Sequence, residues 1–296
     1  MKQNAWQKLD SKINLPDEQP YLKWIRNQLA PYSDSPLQDS LVLLSWATGI
    51  SKERLFAHPE IKLKNQERNL ISRAVKKYVS GFPLPYITGH REFQKLTFQV
   101  NPQVLIPRPE TETLVDLASA WLDEHHQANR VLDLGTGSGC IAVSLAKLHP
   151  SLQVVATDID FRALQVAKEN AGLHDAGDQI QFIQLDLVQG IQSEFDLITA
   201  NLPYIPREKL AQLDAIRYEP RIALDGGLDG LKWIRKLLQD APECLKPEGA
   251  VLLEIDEETG AEAFNIAREF FPQAKIELEK DLSGMDRFLI IRTNQE

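Results

Sequence analysis

The distribution of apolar residues takes two alternating forms over the larger, C-terminal part of the chain. Short apolar runs, such as residues 131–134, 153–157 and 180–185, predict buried strands. Between them lie segments such as residues 161–170, in which apolar residues recur every three or four positions and predict helices. Strands that alternate with helices are typical of a parallel sheet covered on both faces. We therefore expect an α/β domain over residues 109–296.

The first 85 residues have a different pattern, in which apolar residues recur at helical spacing. The stretch Ser35-Pro36-Leu37-Gln38 is a capping-box pattern with proline at the first helical position, and it predicts a helix that ends at Gly49. A further run of helical spacing, residues 70–78, stops before Gly81. We expect residues 1–85 to form a small helical domain.

Between these two parts, the sequence predicts a β-hairpin linker over residues 86–108. Its predicted strands are residues 92–100 and 103–106, and Asn101-Pro102 between them is the predicted turn. A chain of 296 residues exceeds the length at which a single hydrophobic core usually stops growing. A division into domains is therefore expected.

The sign of the net charge changes at the boundary near residue 85. Residues 1–85 carry a net charge of +5, whereas the rest of the chain carries −14. Because an acidic domain repels a phosphate backbone, a nucleic-acid substrate is not expected unless the small basic domain does the docking.

The sequence indicates neither a membrane protein nor a metal site. It has no apolar run approaching the ~18 residues that span a bilayer, and its first residues lack a signal core. Its two cysteines, Cys140 and Cys244, lie far apart with no C-x-x-C spacing, and Cys140 suits a packing position. We expect a cytoplasmic protein without a metal.

A glycine-rich loop follows the first of the predicted parallel strands. It has the form Asp133-x-Gly135-x-Gly137-x-Gly139, in which the third glycine comes one residue earlier than in the dinucleotide fingerprint G-x-G-x-x-G. Such a loop lets the backbone approach a nucleotide-like ligand closely. This form is similar to the first motif of S-adenosylmethionine-dependent methyltransferases. Asp133 would then lie near the methionine end of the cofactor.

Acidic residues end the next two predicted strands. Asp158 is placed to accept the two ribose hydroxyls of an adenosine, although it could instead cap the following helix. Asp186 could accept from the adenine amine while Leu187 covers the ring, and a loop-capping role for Asp186 is the alternative.

A second candidate site follows the apolar strand that begins at Phe195. The strand ends in Asn201-Leu202-Pro203-Tyr204, which puts an amide beside an aromatic ring. This pairing suits gripping a planar amide or amine and presenting its nitrogen to an electrophile. Together with the glycine loop, it predicts group transfer to nitrogen.

Four stretches make the chain resemble the bacterial protein-(glutamine-N5) methyltransferases that modify class I peptide-chain release factors. They are residues 85–89 followed by Phe93, the I-P-R-P-E-T-E stretch within residues 104–112, the glycine loop with the Asn-x-Pro-Tyr tetrad, and residues 281–287. Residues 218–220 and 226–230 add weaker support.

The resemblance implies a fold, a reaction and a set of residues. The fold is a seven-stranded, Rossmann-like sheet behind a helical domain that recognises the substrate. The reaction moves a methyl group from S-adenosylmethionine to the glutamine of a Gly-Gly-Gln motif in the release factor. The catalytic and substrate-binding residues are Asn201, Leu202, Pro203 and Tyr204. The cofactor-binding residues are Asp133, Gly135, Thr136, Gly137, Ser138, Gly139, Asp158, Asp186, Leu187 and Asn201.

In this scheme, the Asn201 side-chain oxygen and the Leu202 carbonyl accept the two amide hydrogens of the glutamine. Tyr204 packs on the amide plane and Pro203 stiffens the grip. The family usually has proline where this chain has Leu202, which gives up a fixed φ but keeps the carbonyl. Arg108, Glu110 and Thr111 are expected beside the cofactor as a lid or support, or else as a structural linker.

Three alternatives remain open. The tetrad also suits an adenine-N6 methyltransferase of nucleic acid, which the acidic domain disfavours. A glutamine methyltransferase for a ribosomal protein would share the same core chemistry. A non-enzymatic binding protein on this fold is disfavoured because both motifs are intact.

Overall fold

The computed structural model describes residues 20–213 and 216–293. The chain divides into two compact units, Met1–Gly89 and His90–Glu296. The described part of the first unit is helical. Its helices are α1 (Tyr21–Leu29), α2 (Pro36–Thr48), α3 (Lys52–Ala57), α4 (Asn65–Val79) and α5 (Leu84–Thr88). Apolar side chains from all five helices form one buried cluster.

Helix α2 tests the capping prediction. It begins at Pro36 and ends at Gly49, whose φ of 70° is the left-handed conformation that glycine adopts without a steric penalty. The start and the end of the helix are therefore confirmed. The capping box is wrong, because the Ser35 side chain makes no capping hydrogen bond. The neighbouring Ser33 hydroxyl instead accepts from the Ser35 backbone N–H.

The second unit opens with the hairpin, whose turn is not where the sequence predicts it. Strand β1 (His90–Phe93) pairs antiparallel with β2 (Leu96–Gln99), so the turn lies at Gln94-Lys95. Both turn residues have positive φ, 49° and 60°, as a two-residue hairpin loop of the I′ type requires. Gln and Lys are not the residues that usually signal this turn, which explains the error.

The prediction of a strand at residues 103–106 is also wrong. Asn101 and Pro102 lie in a turn closed by the Val104 N–H on the Asn101 carbonyl. The Ile106 N–H donates to the buried carboxylate of Glu219 rather than to a strand, at 3.1 Å. The local apolar pattern reflects burial of Val104 and Ile106, not sheet pairing.

A seven-stranded sheet forms the centre of the second unit. Its strands are β3 (Arg130–Leu134), β4 (Gln153–Asp158), β5 (Ile180–Gln184), β6 (Phe195–Ala200), β7 (Leu245–Glu254), β8 (Lys275–Lys280) and β9 (Asp286–Arg292). They are ordered β5-β4-β3-β6-β7-β9-β8. Strands β3 to β7 are parallel, and β9 is antiparallel to both β7 and β8. The predicted seven-stranded sheet is confirmed, and its last strand in the chain, β9, is antiparallel to its neighbours.

Helices cover both faces of this sheet. They are α6 (Pro109–Glu124), α7 (Cys140–Leu148), α8 (Phe161–Leu173), α10 (Lys232–Asp240) and α11 (Gly260–Phe270), whereas the short helix α9 (Arg207–Leu210) buries no side chain. Successive residues of β3 enter opposite cores, because Val131 packs with α6 and α7 whereas Leu132 packs with α10 and α11. Strand order reverses between β4 and β6 on either side of β3. The carboxyl ends of these strands therefore meet at the switch point where open α/β sheets hold ligands.

Candidate functional site

An open cleft of about 1060 Å³, counted out to its mouth, lies at the switch point. Ten of the predicted site residues line it: Gly135, Thr136, Gly137, Ser138, Asp158, Asp186, Leu187, Asn201, Leu202 and Pro203. Three others are not part of its wall: Asp133, Gly139 and Tyr204.

The glycine loop is shaped by close packing on one side and open space on the other. A Cβ added to Gly139 would lie 3.0 Å from the Ala167 Cβ, because α8 packs directly on the loop there. A Cβ added to Gly137 would meet only the Gly135 carbonyl oxygen, at 3.9 Å. Its φ of 55° nevertheless favours glycine. Gly137 therefore leaves a backbone cradle at the cleft.

Asp158 fastens this loop to the end of β4. One carboxylate oxygen accepts from the Gly137 N–H at 2.9 Å, and the other accepts from the Asp160 N–H at 2.9 Å. Burial raises its pKa against the opposing effect of these bonds. The alternative helix-capping role is wrong, since Asp160 is the residue whose side chain accepts from the first turn of α8.

Asp133 lies beneath the loop, fully buried, where it accepts hydrogen bonds from two hydroxyls. Thr136 donates to it at 2.7 Å and Thr199 at 3.0 Å. Burial raises the pKa of Asp133 to about 7, although these bonds oppose the shift. The carboxyl group is therefore poised to change charge near neutral pH.

This shift predicts a pH dependence of stability. The folded protein holds the Asp133 proton up to pH about 7, whereas the unfolded chain releases it near pH 4. Protonated Asp133 makes its full contribution to the free energy of unfolding below pH 4. This contribution, up to about 4 kcal/mol, is lost as the pH rises through 7. Urea unfolding at pH 5 and pH 8 should show a larger loss in the wild type than in Asp133→Asn. An equal loss in both proteins would contradict the shift.

The end of β5 joins the cleft through Asp186 and Leu187. The Asp186 carboxylate forms an ion pair with Lys236 of α10 at 2.8 Å, and it also lines the cleft. Leu187 is buried, with a left-handed φ of 54°. The adenine role of both residues stays a prediction.

The tetrad after β6 is held by a buried carboxylate. The Asn201 Nδ2 donates to the Thr111 hydroxyl at 3.0 Å, and that hydroxyl donates to Glu254 at 2.7 Å. The Tyr204 hydroxyl donates to the other oxygen of Glu254 at 3.2 Å. Burial raises the pKa of both Glu254 and Tyr204. One carboxylate at the end of β7 therefore connects both polar ends of the tetrad.

The segment before α6 is anchored by an ion pair. Arg108 donates to Glu219 at 2.6 Å, and Glu219 also accepts from the Ile106 N–H. Arg108 and Thr111 line the cleft, whereas Glu110 is exposed and does not. Glu219 lies in the Tyr-Glu-Pro stretch that the sequence singled out without a role.

Leu202 stands where the family usually has proline, and its side chain is buried. Its Cδ2 lies 3.1 Å from the position that a Cβ on Gly135 would occupy. The leucine side chain thus packs the tetrad against the glycine loop. Nothing in the sequence indicated this contact.

Sequence reasoning also missed Glu254. Its signal was present, because an acid ends the apolar strand β7 there just as Asp158 ends β4. Among the described residues, no group of His, Cys, Asp and Glu could hold a metal ion. No helix in the described ranges is long and apolar enough to cross a membrane.

Comparison with known proteins identifies the family. The release factor glutamine methyltransferase of Moorella thermoacetica is 38% identical over 92% of this chain and 96% of that protein. The chain belongs to the release factor glutamine methyltransferase family. The protein of the same description from Coxiella burnetii is 35% identical over 91% of this chain and 96% of its own length.

Two family models divide this methyltransferase as the fold does. Residues 21–89 match the PrmC N-terminal domain, and residues 111–217 match the Methyltransferase small domain. The crystal structure of the hMettl16 catalytic domain in complex with MAT2A 3'UTR hairpin 1 has a TM-score of 0.57 at 14% identity. It covers 86% of this chain and 91% of that chain, and at this identity it shows the fold alone.

Proposed function

We propose that this methyltransferase transfers the methyl group of S-adenosylmethionine to the side-chain amide nitrogen, N5, of the glutamine in the Gly-Gly-Gln motif of class I release factors. The observation that carries the proposal is the orientation of the Asn201 amide. Its nitrogen donates a hydrogen bond to the Thr111 hydroxyl beside the cleft. Its oxygen is therefore left to accept from an amide N–H. The relatives from Moorella thermoacetica and Coxiella burnetii are release factor glutamine methyltransferases, which supports this acceptor.

The residues present fit S-adenosylmethionine. Gly137 leaves room for the cofactor against the backbone, and the acids Asp158 and Asp186 can accept from its ribose and adenine. Asp133, beneath the loop, supplies a negative charge near the methionine ammonium when ionised. The bound cofactor supplies a methyl group on a sulfonium, which is the electrophile.

The main task of the protein is to make an amide nitrogen react. Its lone pair is delocalised into the carbonyl, so the site must aim the nitrogen at the methyl carbon and favour pyramidalisation. We assign the Asn201 side-chain oxygen and the Leu202 carbonyl as acceptors for the two amide hydrogens, with Tyr204 against the amide plane. Such positioning can contribute up to roughly 7–11 kcal/mol to the barrier reduction. The nitrogen lone pair would form the N–C bond while the electrons of the S–C bond return to sulfur, which would leave S-adenosylhomocysteine, and the proton then lost by the nitrogen would pass to water.

The ribose role of Asp158 predicts a loss of cofactor affinity. In Asp158→Ala, S-adenosylhomocysteine should bind about 1.5–3 kcal/mol more weakly in calorimetry, the range for hydrogen bonds to a charged group. Because Asp158 also holds the Gly137 N–H, an analogue lacking both ribose hydroxyls is the control. The mutation should cost that analogue much less. An equal loss for both ligands would assign Asp158 to loop support alone.

The substrate is tested by methylation with the purified protein. Labelled S-adenosylmethionine is supplied with an intact class I release factor, with the same factor carrying alanine for the Gly-Gly-Gln glutamine, with ribosomal proteins, or with RNA. We expect one added methyl on the glutamine by mass spectrometry and none in the alanine factor. A methyl found on a ribosomal protein or on adenine, with the release factor untouched, would overturn the acceptor while leaving the cofactor assignment in place.

A further inference from the structure

Glu254 is a buried carboxylate that serves two hydroxyl groups at once. It is 1% exposed and accepts from Thr111 through one oxygen and from Tyr204 through the other. Burying a carboxylate is costly unless it is hydrogen-bonded and compensated by charge. Arg287 compensates it electrostatically and is itself held by Asp281. This gives residues 281–287, a stretch singled out by the sequence, a place behind the site.

The chemistry of these groups fixes the direction of each hydrogen bond. An ionised carboxylate only accepts, so the single hydrogen of the Thr111 hydroxyl is directed at Glu254. The hydroxyl can then only accept from Asn201. The amide group of Asn201 must therefore turn its nitrogen to Thr111, at 3.0 Å, and its oxygen away. Without this constraint the two ends of an amide are nearly interchangeable in shape.

We propose that Thr111 and Glu254 are positioning residues of the transfer reaction: Glu254 orients the Thr111 hydroxyl, which orients Asn201 so that its oxygen faces the acceptor nitrogen. The second oxygen of Glu254 holds Tyr204 in the same frame. A single buried carboxylate thereby aligns the amide grip and the aromatic wall of the acceptor site. This inference rests on the proposed function, because it assigns a task to residues behind the proposed acceptor site.

We call the hydrogen bonds from Asn201 to Thr111 and from Thr111 to Glu254 the relay. Protonation of Glu254 would reverse the direction of these hydrogen bonds. The titratable and charged groups around Glu254 include Tyr204, Arg287, Glu110 and Cys140, and the Thr111 hydroxyl also faces it. Burial raises its pKa, while the two hydroxyls and Arg287 lower it. Protonated Glu254 can donate to the Thr111 oxygen, which frees the Thr111 hydrogen to bind the Asn201 oxygen. The rate of methyl transfer should therefore fall as the pH falls through this pKa.

Matched variants separate positioning from simple packing. Thr111→Val keeps the shape and removes the hydroxyl, whereas Thr111→Ser keeps the hydroxyl. In single-turnover assays with the intact release factor, Thr111→Val should be about 10- to 100-fold slower, the size of effect that misplacement of a reacting group produces. Thr111→Ser should retain most of the rate. Glu254→Gln should also be slow, because its amide offers one acceptor where two hydroxyls need one each.

A double-mutant cycle tests whether Thr111 acts through Asn201. In an Asn201→Ala background, Thr111→Val should cause little further loss, since the group that it orients is gone. A wild-type rate in Thr111→Val, or a full additional loss in the double variant, would overturn the relay. Binding of S-adenosylhomocysteine to each variant checks that the cleft is intact.

A readout without substrate keeps the relay separate from the proposed function. The side-chain Nδ2 proton signals of Asn201, assigned by their absence in Asn201→Ala, should shift in Thr111→Val and Glu254→Gln but little in Thr111→Ser. Unchanged signals in all three variants would overturn the relay, whatever the substrate. Failure of the wild type to methylate glutamine, with these shifts present, would count against the proposed function alone.

Discussion

Replacing Asn201 by alanine is expected to lower the single-turnover rate of methyl transfer about 100- to 1,000-fold, the effect of removing one preorganised polar group from an active site. The reason is that Asn201 supplies the only side-chain carbonyl oxygen of the tetrad, and we assign that oxygen to accept an amide hydrogen of the glutamine. Without it, the acceptor nitrogen is no longer held in line with the methyl group. The rate is measured by rapid quench with enzyme in excess over release factor.

Cofactor binding distinguishes this effect from a damaged cleft. The affinity of Asn201→Ala for S-adenosylhomocysteine should stay close to that of the wild type, because the glycine loop and Asp158 are untouched. Asn201→Asp is the matched variant of equal shape. It keeps the oxygen but loses the N–H that donates to Thr111, and it adds a charge near Glu254. An unchanged chemical rate in Asn201→Ala would eliminate the proposed grip.

Gly230→Ala should produce the second large loss of activity, on the order of 100-fold, by displacing Tyr204. A Cβ at Gly230 would lie 2.4 Å from the Tyr204 carbonyl oxygen, so the backbone of one segment has to move. A Cβ at Gly226 would lie 2.7 Å from the Tyr204 carbonyl carbon, so two glycines of this loop pack closely against the Tyr204 backbone. Methylation of the release factor measures the loss.

Gly190→Ala is the matched control for backbone strain. Gly190 has a φ of 86°, close to the 82° of Gly230, but a Cβ there would meet nothing within 4 Å. Both variants therefore carry a similar conformational penalty, of about 1 kcal/mol. Only Gly230→Ala should lose activity strongly. If both variants keep the wild-type rate, close packing of this loop does not position Tyr204.

The parallel sheet and the cleft could be predicted from local patterns. Apolar runs identify β3, β4 and β6, and a polar residue lies at or near the carboxyl end of each: Asp133 one residue before the end of β3, Asp158 at the end of β4, and Asn201 directly after β6. In a parallel sheet the carboxyl ends of neighbouring strands lie at one edge, so residues far apart in sequence are brought together. Residue type and spacing were sufficient because each strand is identified by its own residues, and the alternation of strands with helices predicts that the strands are parallel.

The hairpin turn could not be predicted, because its signal is not local. Gln94 and Lys95 adopt positive φ, which costs free energy for residues other than glycine. The flanking Phe93 and Phe98 are buried in the core of the second unit, and this burial fixes the strands that the turn must join. Tertiary packing therefore overrides the local preference at the turn.

The sequence by itself determined the sheet, the glycine loop and the residues that meet at the switch point. Only the tertiary structure decided how the tetrad is held. Thr111, Glu254 and Tyr204 come from α6, β7 and the loop after β6, and no spacing relates them. Their hydrogen bonds exist because the fold buries one carboxylate among three segments, where each hydroxyl must find a partner. Periodicity reports which face of an element is buried, but it does not report which polar groups meet inside.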